Sequence, residues 1–381
     1  MKNKKSIIII ASITTLTLLI TIIILSNILL KKDINNNEIT KQNIDIYISN
    51  ENVKYNQNAT NSYVTNIGFS IKNINNETKD LILVKNKKNN KNNIKYICKS
   101  IDNIYNLDLT NLENGKYYMN DINIDTNTLT NVARFKLNDK LIDVNLKEKY
   151  IEIANFKYEY DILIDVGHGG KDTGAVNSYM TEKELNLIVS NYEKKRYEDH
   201  GLKVKILRTS NDDYGEMIKE EEMANLSNKA YTIGHYGVVS KVVYSNHHNA
   251  AGKRQLDGYE IIVSGKLSKK QYENELNIVN KFNKLYNLTT NQQRFYTRNI
   301  EESPKEGYDM RNNQRYDFRD YYAVVRVPIE LFNVKSVIYE GCYMDNEKDF
   351  KWYYLDKNYI KVSEIKIKQY VESLGVEYKE I

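Results

Sequence analysis

Histidines and glutamates follow three apolar segments that have the character of buried strands. His168 comes after "ILIDVG", and His247 and His248 come after "KVVYSN". Glu340 ends "VKSVIYE", and Glu182 opens the helix expected after the first strand. Active sites in open α/β sheets gather just past the carboxyl ends of strands, so these side chains are expected to converge. Two imidazoles and one carboxylate are a known ligand set of catalytic zinc, which keeps a further position for water.

The adjacent pair His247 and His248 leaves the choice of ligand open. The chain has five histidines, and two of them stand side by side here. Neighbouring residues on an extended strand point to opposite sides, so one ion takes only one of the pair while the strand stays regular. The spacing alone does not identify which of the two histidines is the ligand.

Strands and helices alternate from about residue 158 onward. The expected strands are "YDILIDVG", "KVKILRT", "SKVVYSN", "GYEIIVS", "AVVRV" and "VKSVIYEG". The expected helices span roughly 182–199, 215–233, 268–287, 347–354 and 357–373. This alternation predicts an α/β domain over residues 158–381, with a mostly parallel sheet flanked by helices.

The preceding segment, residues 44–157, has the sequence pattern of a small β-rich domain. Its short alternating runs have the length and period of strands. Asn114–Gly115 stands between two such runs and predicts a hairpin turn. The basic stretch 85–95 is interpreted as a solvated loop, with a contact to anionic wall polymer or lipid headgroups as the alternative.

The N-terminal segment, residues 1–32, predicts a membrane anchor. Ser6 to Leu30 form an uncharged run of 25 residues, long enough to cross a bilayer as a helix. Lysines precede the run, and their slight excess places the N-terminus in the cytoplasm. A cleaved signal peptide is the alternative, although its apolar core is usually shorter. We therefore expect a single-pass protein of the cell membrane, with a polar linker at 33–43 and the catalytic domain outside the cell.

Composition narrows the function classes only slightly. The net charge of +5 is spread over 381 residues, and no nucleic-acid-binding motif is present, so no nucleic acid partner is expected. The two cysteines, Cys98 and Cys342, are far apart and form no Cys-x-x-Cys pair. A thiolate zinc site is therefore not supported, and both cysteines are expected to be free and buried, with a disulfide between them as the alternative.

Several motifs together carry a resemblance to a known family. The strings "ILIDVGHGGKDTGAV", "TEKELNL", "VVYSNHHNA", "GYEIIVS" and "VKSVIYEGCYMDNEKDF" occur in this order over roughly residues 160–373. They resemble the zinc-dependent N-acetylmuramoyl-L-alanine amidases of the Amidase_3 family. The resemblance implies a peptidoglycan hydrolase with a Zn²⁺ cofactor, which cleaves the amide between N-acetylmuramic acid and the L-alanine of the stem peptide.

The resemblance also implies roles for individual residues. The zinc ligands match His168, Glu182 and His247, and the catalytic glutamate matches Glu340. Glu184, two residues beyond Glu182, is the fallback ligand if the helix starts differently.

The same motifs also match residues that are expected to contact the substrate or to support the site. Arg326 matches an arginine common before the last strand, with a substrate role or a plain salt bridge as alternatives. His248 and Asn249 follow the matched ligand His247 and are expected to line the substrate groove. The alternative for His248 is that it supports the ligands from behind. Asp172 is expected to be a turn or cap residue, or to brace the loop after His168.

Two rival functions remain open from the sequence. Another zinc peptidase that cuts within the stem peptides would use the same ligands. An anchored wall-binding or scaffold protein with a decayed amidase domain is the second rival. The complete set of ligands and catalytic glutamate argues against decay. A nucleotide-binding α/β protein has little support, because "GHGG" lacks the spacing of GxGxxG and of a P-loop.

Overall fold

A computed structural model describes two parts of the chain. In the C-terminal part it describes residues 156–215, 225–252, 255–265, 267–292, 294–298 and 320–381. In the N-terminal part it describes residues 44–45, 62–64, 68–72, 81–85, 95–98, 100–101, 104–109, 112–119, 132–145 and 148–155. The predicted anchor and the predicted linker both lie outside these residues. Among the helices described, none is both long and apolar enough to cross a membrane.

The N-terminal part forms two antiparallel sheets. The first has the order β1-β2-β3-β7-β6, and its strands are Ile44–Asp45, Ser62–Val64, Gly68–Lys72, Ile104–Asp108 and Ser100–Ile101 in that order. The second has the order β5-β4-β8-β11-β10-β9, and its strands are Lys95–Cys98, Leu81–Lys85, Gly115–Met119, Tyr150–Asn155, Lys140–Asn145 and Val132–Leu137. This part is β-rich, as its alternating pattern predicts.

The hairpin predicted at Asn114–Gly115 is wrong. The strands on its two sides, β7 and β8, lie in different sheets, and β8 pairs with β4 and β11 instead. A tight hairpin joins β9 and β10, where Leu137 pairs with Lys140 and Asn138 takes a left-handed φ of 54°. Turn residues mark a change of direction, but the partner of a strand is decided by packing over longer distances.

The C-terminal part is built on a mixed sheet of six strands with the order β13-β12-β14-β17-β15-β16. The strands are Val204–Ile206, Tyr160–Val166, Ser240–Asn249, Val337–Tyr343, Glu260–Val263 and Phe295–Tyr296 in that order. Neighbouring strands run parallel except β15 and β17, which are antiparallel. Strand β12, which lies next to the edge strand β13, is buried over most of its length, because helices cover both faces of the sheet.

Six α-helices and one π-helical turn are described around this sheet. They are α1 (Glu182–Asp199), α2 (Asn225–Gly237), α3 (Lys269–Leu285), α4 (Ala323–Phe332), α5 (Glu347–Phe350), the π-helix Lys351–Leu355 and α6 (Asn358–Ser373). Helices α1, α3 and α6 share one apolar core with the sheet. Helices α2 and α4 share a second core on the other side. The predicted α/β domain flanked by helices is therefore present, with a sheet that is not purely parallel.

The strand predicted at "AVVRV" is wrong, because these residues open helix α4. Short apolar runs rich in valine do not distinguish a buried strand from a buried helix. Val324, Val325 and Val327 are all buried in the core that α4 shares with α2. Burial on this face favours the helix over the intrinsic strand preference of valine.

Candidate active site

One carboxylate and two imidazoles meet at the carboxyl end of the mixed sheet. Nε2 of His168 lies 3.0 Å from Oε2 of Glu182. Nδ1 of His247 lies 3.0 Å from Oε1 of the same carboxylate. A potential ligand atom from each of the three residues lies within 4.8 Å of the others. The three residues predicted as ligands are thus brought together, and they form a group that could hold one metal ion.

The pairing of β12 with β14 places the two histidines side by side. Val166 pairs with Asn246, and the Gly167 N–H donates to the Asn246 carbonyl at 3.0 Å. The rings of His168 and His247 are 4.8 Å apart between centroids and inclined by 76°. A Cβ at position 167 would stand 2.5 Å from the His247 ring, so only glycine permits this approach.

The first turn of α1 fixes Glu182 and excludes Glu184. The Thr181 N–H donates to Oε2 of Glu184 at 2.7 Å, so that Glu184 completes a capping box. The Glu182 carboxylate faces the histidines and accepts N–H bonds from Ala175 and His248, each at 3.0 Å. Of the two glutamates considered as ligands, Glu182 is therefore the one that faces the histidines, and the fallback Glu184 is engaged in capping.

The electrostatics of the cluster favour an ionised Glu182. Burial alone would raise the pKa of this carboxyl group, but contacts with the imidazoles of His168 and His247 hold its pKa well below the usual value. Burial opposes protonation of His168, but the carboxylates of Glu182 and Asp172 raise its pKa overall. The cluster therefore favours positive charge beside Glu182.

Asp172 and Asn186 hold the predicted ligands in place. Oδ2 of Asp172 lies 2.8 Å from Nδ1 of His168, so the opposite ring nitrogen faces Glu182. The Asn186 amide donates to Oε1 of Glu182 at 3.4 Å and to the Gly167 carbonyl at 3.1 Å. Asp172 thus braces His168 through Oδ2, and its Oδ1 accepts the Gly174 N–H at 3.1 Å as a turn residue does, so both roles considered for it are present.

Asp172→Ala is expected to weaken zinc binding by about 10- to 100-fold, because His168 loses the acceptor that orients its ring. Asp172→Asn keeps an acceptor oxygen and is expected to restore most of the affinity. Competition with a chelating dye measures the affinity. The exposed Asp356→Ala is the control, and equal affinities for both alanine variants would remove Asp172 from this role.

Glu340 stands beside the cluster on the next strand. It pairs in register with His247 on one side and with Glu260 on the other. Its Oε2 atom is buried and has no hydrogen-bond partner among the described residues. Burial raises the pKa of Glu340 well above the usual value, and the carboxylates of Glu182 and Glu260 add to the rise. An unpartnered carboxylate of this kind is suited to taking up a proton.

His248 points away from the cluster into the protein interior. It is 2% exposed, and its ring packs edge-on against Tyr353 at 5.1 Å between centroids. Its Nδ1 lies 2.6 Å from Oδ1 of Asn186. Burial lowers the pKa of His248 to about 3, so its ring is neutral. Of the two positions considered for His248, the structure places it behind the predicted ligands, where it reaches Glu182 through Asn186.

Asn249 and Arg326 are both held by nearby backbone groups. The half-buried Asn249 accepts the Ala250 N–H through its side chain at 2.8 Å. Arg326 lies on α4, is 8% exposed, and donates to the carbonyls of Asp320 at 3.1 Å and Tyr321 at 2.6 Å. Neither contact tests a substrate role, so both roles stay predictions.

Comparison with known proteins assigns the family. The family model described as Amidase_3, N-acetylmuramoyl-L-alanine amidase, matches residues 162–368, which are 207 of the 381 residues. The chain belongs to this family. It is accordingly an N-acetylmuramoyl-L-alanine amidase, a zinc-dependent hydrolase that acts on peptidoglycan, as the sequence motifs predict. No curated protein matches the chain in sequence.

Solved amidase structures match a little over half of the amidase chain. The CwlD amidase from Clostridioides difficile in complex with the GerS lipoprotein is 19% identical, with 57% of this chain and 99% of that chain covered and a TM-score of 0.41. The catalytic domain of CwlV from Bacillus (Paenibacillus) polymyxa var. colistinus is 19% identical, with 57% and 99% covered and a TM-score of 0.40. Since both TM-scores are low, the family assignment rests on the sequence match.

Further residues of this amidase support the site and were not predicted from its sequence. Nζ of the buried Lys229 donates to the His168 carbonyl at 2.9 Å and lies 3.3 Å from Oδ1 of Asp165. This contact crosses from α2 to the end of β12, and the sequence gives no signal for it. Asn186 was detectable, because it lies four residues after Glu182 and thus on the same face of α1.

A buried ion pair supports the strand that carries His247. Nζ of Lys366 lies 2.6 Å from Oε1 of Glu193, and it donates to Oδ1 of Asn246 at 2.8 Å. Asn246 also donates to Oε2 of Glu193 at 2.8 Å. Both charged groups are almost fully buried. Helices α1 and α6 are thereby joined to the residue just before the predicted ligand.

Lys366→Met is expected to lower the free energy of unfolding by about 3 to 5 kcal/mol, because it leaves the Glu193 carboxylate buried without its cation. Urea unfolding of the native chain and the variant measures the difference. The double variant Lys366→Met with Glu193→Gln removes both charges and should lose less. A single variant as stable as the native chain would contradict the buried pair.

Proposed function

We propose that His168, Glu182 and His247 hold one zinc ion and that Glu340 is the general base of amide hydrolysis. The bond cleaved is the amide between the lactyl group of N-acetylmuramic acid and the L-alanine of the stem peptide. The observation that supports this best is the convergence of two imidazoles and a buried carboxylate next to an unpartnered glutamate.

The residues present fit a zinc ion. Two histidine nitrogens and one carboxylate form a ligand set of catalytic zinc sites, in which a further position stays open for water. Their donor atoms lie within 4.8 Å of one another, a spacing close to that of ligands at about 2.0 to 2.2 Å from one ion. The imidazole of His168 is already oriented by Asp172, as is usual for a metal-bound histidine.

Side chains of the protein carry out the other steps of hydrolysis. When bound, zinc supplies a water of lowered pKa and polarises the scissile carbonyl. Glu340 accepts the proton of the attacking water and passes it to the leaving amine of L-alanine. Burial and the neighbouring carboxylates, which raise its pKa, make Glu340 a stronger base than an exposed glutamate. Asp172 and Asn186 hold His168 and Glu182, while the substrate contacts assigned to Asn249 and Arg326 belong to the same proposal.

The proposed location is the outer face of the cell membrane. The uncharged run from Ser6 to Leu30, with lysines before it, supports a single-pass anchor with the catalytic domain outside the cell. Peptidoglycan also lies outside the membrane, so the substrate is consistent with this orientation. Protease added to intact cells should digest the catalytic domain, and full protection would contradict the orientation.

Digestion of purified peptidoglycan by the zinc-loaded chain tests the proposed reaction. Mass spectrometry is expected to show intact stem peptides with a free L-alanine amine, together with glycan that has lost its peptides. Shorter peptides with the muramyl amide intact would identify a peptidase of the stem instead. The absence of any product would identify a decayed wall-binding protein.

A further inference from the structure

A cavity of about 420 Å³ lies at the opposite end of the mixed sheet from the histidines. Ser240, at the start of β14, lines it, whereas His247 lies seven residues further along that strand. At about 3.3 Å per residue the two positions are roughly 23 Å apart. The cavity is therefore separate from the site of hydrolysis.

The walls of the cavity come from both parts of the chain. Phe135 and Lys136 on β9 and the segment 156–158 contribute one side. The first turn of α3 and the segment that leads into β17 contribute the other. The two sides are held together locally, because the N–H groups of Glu159 and Tyr160 donate to the Val239 carbonyl at 2.8 and 3.1 Å.

The charged groups of the lining are mostly lysines. Four lysines and one glutamate face the cavity, which gives +3. Lys241 pairs at 2.7 Å with Asp161, which lies outside the lining, and counting that carboxylate leaves +2. The glutamate, Glu275, accepts a hydrogen bond from the Tyr370 hydroxyl at 2.8 Å, and burial raises its pKa to about 7. Near neutral pH it is therefore only partly charged, and the cavity is positive.

Two of these lysines have no counter-charge. Lys335 is half-buried, and it forms no ion pair or hydrogen bond with the part of the chain that the structure describes. Burial lowers the pKa of Lys335, so its ammonium group would gain from a nearby anion. Lys270 is exposed at the first turn of α3 and is likewise without a partner among the described residues.

Aromatic rings stand next to the positive charge. Phe156 and Tyr158 pack edge to face, with 5.0 Å between ring centroids. Nζ of Lys136 lies 4.1 Å from the centroid of the Phe156 ring. Tyr158 is 50% exposed and so offers a flat apolar surface at the entrance. A ring face beside ammonium groups suits a ligand that carries an apolar face and an anionic group together.

We propose that this cavity binds a sugar unit that bears an acidic group. Its volume lies within the range of about 300 to 1,000 Å³ that is usual for small-ligand sites. Lysine ammonium groups bind phosphate and carboxylate as point charges, and the aromatic rings cover the face of the sugar. Two wall components share this chemistry: a muramic acid unit whose lactyl carboxylate has been freed by removal of its stem peptide, and a phosphate-bearing sugar of an anionic wall polymer. Such a site would hold the enzyme to the wall away from the bond that it cleaves.

Saturation-transfer NMR titrations of the full chain in detergent test the proposal with three probes. N-acetylmuramic acid represents the carboxylate source, and N-acetylglucosamine 6-phosphate represents the phosphate source. Neutral N-acetylglucosamine is the control ligand. At least one acidic probe is expected to bind about tenfold more tightly than the neutral sugar, and the stronger of the two identifies the source. Equal affinity for all three would overturn the proposal.

Variants locate the binding in the cavity. Lys335→Gln combined with Lys270→Gln is expected to weaken binding of the acidic probe about tenfold. Lys284→Gln, an exposed lysine at the far end of α3, is the matched control and should bind as the native chain does. Unchanged binding by the double variant would place the probe elsewhere, the hydrolytic site included, and would also overturn the proposal.

Binding in the cavity does not depend on the catalytic roles proposed for residues at the histidine end of the sheet. Glu340→Gln is expected to bind the acidic probe with native affinity while its rate of peptidoglycan hydrolysis falls by about 10² to 10⁴. A Glu340→Gln variant that hydrolyses at the native rate would contradict the catalytic role of Glu340, but it would not affect the proposal that the cavity binds an acidic sugar. Loss of binding in that variant would show that the probe occupies the catalytic site, which contradicts a second site.

Discussion

Glu340→Gln is expected to lower the rate of peptidoglycan hydrolysis by about 10² to 10⁴, the usual contribution of a general acid or base. The amide has nearly the same shape as the carboxylate, but it accepts no proton from water at neutral pH. The donor atoms of the three predicted ligands are unchanged, so zinc stays bound. The rate of release of stem peptides and the zinc content of the purified variant are the two measurements.

Glu260→Gln is the matched control for this variant. Glu260 lies opposite Glu340 in the sheet, is also buried, and accepts a hydrogen bond from Tyr343 at 2.6 Å. A glutamine there keeps an acceptor, and the loss of rate is expected to stay below about tenfold. Normal activity of Glu340→Gln would remove Glu340 from the role of base. Loss of zinc in Glu340→Gln would instead make Glu340 a ligand.

His247→Ala is expected to lose zinc and hydrolysis together, because it removes one of three predicted protein ligands. His248→Ala is expected to keep the ion and to lose at most about 10- to 100-fold in metal affinity or rate. The reason is that His248 reaches Glu182 only through its own N–H and through Asn186. Zinc content after gel filtration and the rate of hydrolysis are compared for the two variants.

The two adjacent histidines act as each other's control. Both variants remove an imidazole from the end of β14, so a general loss of fold would affect them alike. Their melting temperatures separate loss of stability from loss of metal. If His248→Ala alone lost the ion, the assignment of the ligand would be shifted by one residue along the strand.

Local signals predicted several elements well. Helix α1 was expected at about 182–199 and is found at Glu182–Asp199, because Thr181 and Glu184 form a capping box that fixes its start. The sequence of helix α4 predicts a strand, because its valines favour strands, but burial against α2 decides in favour of a helix. The partner of β8 was not readable either, since strand pairing depends on residues far away in the sequence.

The predicted ligands could be found because strand ends meet at one edge of a sheet. His168, Glu182 and His247 each follow or open an element whose direction the sequence reveals. The groups that hold them are different. Lys229 and Lys366 reach the site from α2 and α6, and only the folded packing brings them to β12 and β14.

Zinc titration of the chelator-treated, full-length chain tests the central claim most directly. Activity on peptidoglycan is measured as zinc is added back in fractions of an equivalent. One ion held by His168, Glu182 and His247 predicts no hydrolysis without zinc and full activity at one equivalent. Full activity of the metal-free chain, or a requirement for two equivalents, would contradict the proposed site.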